Sequence, residues 1–111
     1  MELNRLAQDI YQNAKNKGFW DGPDRNRLIP EKIALMHSEL SEALEEYRNK
    51  HAPDEIYFKD GKPEGIPVEI ADLIIRALDF CAGYGINIDE VMEAKMKYNA
   101  SRPFMHGGKL I

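Results

Sequence analysis

Apolar positions recur at helical spacing along four stretches of the chain. Leu3, Leu6, Ala7, Ile10 and Ala14 share one face of a helix over residues 2–17, and Gly18 marks its stop. "GFWDGPDRNRLIP" reads as a loop, and Pro30 suits the first turn of a second helix that runs to about His51. Ile33, Met36, Leu40, Leu44 and Tyr47 make up the apolar face of that helix. "APDEIYFKDGKPEGIP" is a second loop, crowded with Pro, Gly and Asp. Pro67 opens a third helix that reaches about Ala82 and ends at "GYG". Asn87 caps a fourth helix, with Glu90 three residues on as its capping-box partner, and Pro103 bounds it. No strand pair, repeat or low-complexity segment is visible. The pattern predicts an all-α fold of four helices, one domain over residues 1–111.

The third helix departs from the usual proportions. A helix on a protein surface has a broad polar face and a narrower apolar one. In "PVEIADLIIRALDFCAG" the polar residues Glu69, Asp72, Arg76 and Asp79 fall within an arc of roughly 80°, and apolar side chains cover the rest. Such a helix is expected to be buried on most sides. Buried carboxylates need partners, so the polar stripe must face a cleft, a cation or a basic group.

"SELSEALEEYR" in the second helix offers the counterpart. Glu39, Glu42 and Glu46 lie within roughly 60° of one another, beside the apolar face. Antiparallel packing of the two helices would bring Glu39 and Glu42 opposite Glu69 and Asp72. Carboxylates gathered round one point repel each other unless a cation sits between them. Oxygen-only ligands favour Mg²⁺, with Mn²⁺ as an alternative. His37 points to another side of its helix, and the Glu-x-x-His spacing of di-iron bundles is absent. The bland alternatives are a solvated face for Glu39 and Glu42, and an i,i+4 ion pair between Asp72 and Arg76.

The fourth helix carries Lys95, Asn99 and Arg102 within roughly 60° of each other. Two cations and an amide in a line suit polyphosphate oxygens, or the cations simply oppose the helix dipole; spacing leaves both open. Lys109 in "HGGK" could add another positive charge, although the Gly spacing is not that of a Walker loop. Trp20 could stack on a base, or plug the core beside Phe19.

Composition narrows the function classes. A net charge of −4 gives no basic surface for a nucleic-acid duplex. Cys81 is the only cysteine and lies in an apolar run, which excludes an intrachain disulfide and reads as an inert buried thiol. The N-terminus "MELNRLAQDI" is amphipathic and of mixed charge, unlike a secretory signal, and no apolar run approaches bilayer length. A cytoplasmic setting is the expectation.

"ELSE" followed by "EIAD" after a Pro/Gly-rich loop resembles the Glu-x-x-Glu … Glu-x-x-Asp signature of MazG-like nucleoside triphosphate pyrophosphohydrolases, within the all-α NTP pyrophosphatase superfamily. "KMKYNASRPFMHGGK" is similar to the ending of its small single-domain members. The resemblance spans about Phe19 to Lys109. It implies hydrolysis of an NTP or dNTP to a nucleoside monophosphate and pyrophosphate. It implies Mg²⁺ on Glu39, Glu42, Glu69 and Asp72, and phosphate contacts from Lys95, Asn99 and Arg102. It also implies a homodimer or a dimer of dimers, with the helices of two subunits in a larger bundle. Glu42, with Glu39 beside it, is the candidate to activate the attacking water. No nucleophile with partners suggests a covalent intermediate. The rival from another class is a non-enzymatic helical module that oligomerises through its third helix, its acids held in structural ion pairs. Base and sugar preference are not readable.

Overall fold

The computed structural model describes residues 1–22 and 24–103. It is mainly helical: α1 spans Leu3–Asn16, α2 Leu28–Arg48, α3 Ile66–Gly83 and α4 Ile88–Ser101. A short 3₁₀ turn, Arg25–Arg27, leads into α2. The expected strand-free loop between α2 and α3 needs correction. Tyr57–Lys59 (β1) and Lys62–Glu64 (β2) form an antiparallel hairpin with Tyr57 opposite Glu64. Its two-residue turn is Asp60-Gly61, both at positive φ, the backbone that matches the twist of a tight hairpin.

α3 is the central element and packs against both α1 and α2. Pro67 sits in its first turn, where a missing N–H costs nothing. Gly65 precedes it at φ 125, and a Cβ there would overlap the Glu55 carbonyl oxygen, so only glycine lets the hairpin turn this closely into α3. α2 stops at Arg48, short of His51, because Lys50 adopts a left-handed conformation.

α1 and α4 cap each other. Asp89 Oδ1 accepts from the Leu3 N–H at 2.9 Å, and Asn4 Oδ1 accepts from the Ile88 N–H at 2.9 Å. Asn87 caps its own helix through the Glu90 N–H at 3.2 Å, as its sequence position predicts. These exchanges satisfy two orphan helix starts at one joint. α1 is the main contact of α4, and no residue of α4 is buried.

The in-chain core is small. Among the described residues its buried apolar members are Ala7, Trp20, Ala43, Leu78 and Cys81. The apolar face expected to pack α2 on α3 does not do so. α2 buries Glu39 and Ala43 instead, and Ile33, Leu40, Leu44 and Tyr47 remain exposed, Leu44 to 60%. The inward side and this apolar stripe lie roughly 100° apart round the helix. Ile70 and Ile74 on α3, and Val91, Met92 and Met96 on α4, are exposed as well. No helix among the described residues is long and apolar enough to cross a membrane.

Candidate metal centre and adjoining cavity

The inward side of α2 meets the polar stripe of α3. Arg76 Nε donates to Glu39 Oε1 at 2.7 Å, while Glu46, two turns further along α2, stands near Glu69, so the two helices run antiparallel. Glu39, Glu69 and Asp72 each bring a carboxylate oxygen within 4.8 Å of the other two. Glu39 is 6% exposed and Glu69 7%, which is unusual for glutamates. Glu39 Oε2 and Glu69 Oε2 are buried without a hydrogen-bond partner among the described residues. Glu42 is exposed at the edge, close enough to Glu69 to repel its charge, and lies outside the tight set of three.

The electrostatics follow from this crowding. Burial, with Glu42 and Glu39 alongside, pushes the Glu69 carboxyl up to about 8. Burial acts on Glu39 in the same sense, but the Arg76 hydrogen bond and charge outweigh it and hold that carboxyl below its ordinary value. Asp72 is raised, by burial first and by Glu39 second. The alternative pairing of Asp72 with Arg76 is not what forms; the guanidinium turns across to Glu39 on α2. That leaves two orphan carboxylate oxygens around one point, with an Asp72 that has no salt-bridge partner among the described residues, all oxygen donors. The set fits a hard divalent cation, Mg²⁺ or Mn²⁺.

A cavity of about 360 Å³ opens beside these acids. Ile10, Ala14, Phe19, Leu28, Leu35 and Ile75 line its apolar part; Asn13, Lys32 and Asp79 add polar groups, and Glu39, Asp72 and Arg76 border it. The size and the mixture of apolar wall with a few polar groups suit a small ligand.

Trp20 is a plug and not a lining group of the cavity, so of the two readings open for it the core plug fits and base stacking does not. It is 7% exposed, with Lys32 Nζ 3.9 Å and Arg25 Cζ 4.6 Å from the ring centroid, and its Nε1–H donates to Asp79 at 2.9 Å. Its neighbour Phe19, 68% exposed, is the aromatic that reaches the cavity.

Lys95 and Asn99 on α4 and Arg102, extended just past its end, are exposed and do not line this cavity. Lys95 and Arg102 instead flank the Tyr98 ring, at 4.9 and 5.9 Å from its centroid. Lys109 lies outside the described residues. Three features escaped the sequence reading: the Arg76–Glu39 pair, the Tyr57–Glu46 hydrogen bonds at 2.8 and 2.9 Å, and the arrival of Glu64 beside Glu69. Only the last had a signal, the Asp-Gly of a hairpin in "KDGK". Comparison with family models, curated proteins and solved structures finds no match to this chain.

Proposed function

We propose that the protein is a divalent-metal-dependent pyrophosphohydrolase of nucleoside triphosphates. The observation that carries this reading is the cluster of buried Glu39 and Glu69 with half-buried Asp72, two of its oxygens without a partner among the described residues, set beside a cavity of about 360 Å³. Mg²⁺ held by these carboxylates would neutralise phosphate oxygens and the charge that develops on a departing pyrophosphate. The nucleoside then occupies the apolar part of the cavity, with its base against Phe19. Glu42 is outside the triad, exposed and next to Glu69, so it is free to orient the attacking water and take its proton. The water oxygen bonds to phosphorus, the bridging α–β phosphate bond breaks, and the leaving oxygen departs in pyrophosphate.

The reading includes a homodimer or dimer of dimers. Ile33, Leu40, Leu44 and Tyr47 on α2, Ile70 and Ile74 on α3, and Val91, Met92 and Met96 on α4 are all solvent-exposed, much apolar area for a chain of 111 residues to leave uncovered. The radius of gyration, 16.8 Å, exceeds the roughly 13 Å of a compact domain of this length. A second copy covering that surface is the natural partner, and its α4, with Arg102 just past the helix end, can carry Lys95, Asn99 and Arg102 to the phosphates. Light scattering at micromolar concentration should show a dimer or tetramer, and Leu44→Glu should shift it toward monomer. A monomeric parent protein would remove the two-subunit site.

Metal and nucleotide binding separate this reading from a purely structural helical module. Titration with Mg²⁺ should raise the melting temperature, and a non-hydrolysable dNTP should raise it further only when metal is present. A melting temperature unmoved by millimolar metal, with or without the analogue, would favour the structural module.

A further inference from the structure

The acids do not end at the triad. Glu46 from α2, Glu64 from the hairpin and Glu69 from α3 also bring carboxylate oxygens within 4.8 Å of one another. Glu69 belongs to both groups, and it is the residue that most needs a ligand. It is 7% exposed, its Oε2 has no hydrogen-bond partner among the described residues, and its near neighbours are carboxylates that cannot donate to it when ionised.

The second group is also built to hold its shape. The Tyr57 hydroxyl lies 2.9 and 2.8 Å from the two oxygens of Glu46 and donates to that carboxylate. His51 stacks on the Tyr57 ring with centroids 4.4 Å apart, fixing the phenol in turn. A single hydroxyl donor orients a carboxylate and leaves lone pairs free, as groups behind a metal ligand do. Glu64 is delivered by the hairpin and by the turn at Gly65 that only glycine permits.

Charge bookkeeping points the same way. Glu39, Glu42, Glu46, Glu64, Glu69 and Asp72 are gathered along one seam between α2, β2 and α3. The lasting positive charges paired with them are Arg76, 2.7 Å from Glu39, and Lys62, 3.7 Å from Glu64. His51 Nε2, 3.6 Å from Glu46, adds a charge only when protonated. When all six acids are ionised, the surplus is about twice what one divalent ion cancels.

We propose that Glu46, Glu64 and Glu69 form a second divalent-cation site, joined to the Glu39–Glu69–Asp72 site through a bridging Glu69. It deepens the pyrophosphohydrolase reading and rests on it for its purpose. Glu46 lies about 10 Å along α2 from Glu39, so this ion stands farther from the apolar end of the cavity. Its chemistry suits the outer phosphate oxygens of the substrate, those that leave as pyrophosphate. Paired ions that share a carboxylate are a recurrent arrangement for phosphate-ester and anhydride cleavage.

The test is Mn²⁺ binding to the full chain without nucleotide, by equilibrium dialysis and electron paramagnetic resonance. The parent protein should take up two ions per chain, with a spectrum broadened by coupling across the shared carboxylate. Glu64→Gln should lower the uptake to one ion and restore the sharp lines of an isolated Mn²⁺, and Glu46→Gln should do the same if the first variant folds poorly. Uptake of one ion by the parent, or of two uncoupled ions indifferent to both changes, overturns the proposal. So does no uptake at all, which would overturn the first site as well. Hydrolysis is not needed for this readout. A protein that binds a coupled pair yet cleaves no nucleotide would sink the enzymatic reading and leave the second site standing.

Discussion

Asp72→Asn should keep the fold and lose the activity. Asp72 has no salt-bridge partner in the described residues, because Arg76 is engaged by Glu39. Removing its charge therefore strands no cation, and it relieves repulsion within a group of acids. The apoprotein should melt at the same temperature or slightly higher. The hydrolysis rate should fall by about a hundredfold or more, the scale for losing one electrostatic stabiliser of developing phosphate charge. The check is kcat/KM on the best dNTP beside a melting curve in EDTA. Unchanged activity with a lower melting temperature would make Asp72 a structural acid and take it out of the metal site.

In EDTA the protein should lose stability as the pH rises. Glu69 in the folded chain holds its proton up to about 8, against an ordinary glutamate value of 4.5. Between those values the folded state binds more protons than the unfolded chain, so the free energy of unfolding falls with rising pH. Asp72, also raised, acts in the same sense. Glu39 is lowered, so its stabilisation is lost only as the pH falls below the ordinary range, outside this window. The melting temperature of the metal-free protein should therefore drop by several degrees from about pH 5.5 to about pH 8. Saturating Mg²⁺ should abolish or reverse that slope, because the ion binds the ionised carboxylates and displaces the proton. A metal-free melting temperature that is flat or rising across this range would contradict the crowding described around Glu69.

Much of this arrangement was legible in the sequence. The four helices follow from apolar periodicity and from local stops such as Gly18, Pro67 and the Asn87 cap, all of which act within one turn of the chain. The convergence of Glu39, Glu69 and Asp72 was also readable, because an acid stripe on a mostly apolar helix has few stable surroundings, but Glu42, expected among them, lies outside the tight set. The orientation of α2 was not. Its apolar stripe looked like the face that packs on α3, yet Glu39 and Ala43 take that place. A sequence does not say whether an apolar stripe is covered by its own chain or by another molecule. Arg76 misled for a related reason: the i,i+4 rule favours Asp72, but a partner on the facing helix lies closer. The hairpin was hidden because each strand is only three residues long and one contains Pro63, although Asp60-Gly61 marked the turn. With the hairpin hidden, Glu64 and the ordering of Glu46 by Tyr57 could not be seen either. Trp20 is settled by Asp79 and Tyr84, partners far away in sequence.

Phosphorus NMR of the products tests the central claim most directly. The protein is incubated with each of a panel of NTPs and dNTPs, with Mg²⁺ and then with EDTA. The account predicts that at least one nucleotide is converted, only with the metal, to its monophosphate and pyrophosphate. Orthophosphate and a nucleoside diphosphate as products, or no metal-dependent cleavage across the whole panel, would contradict it.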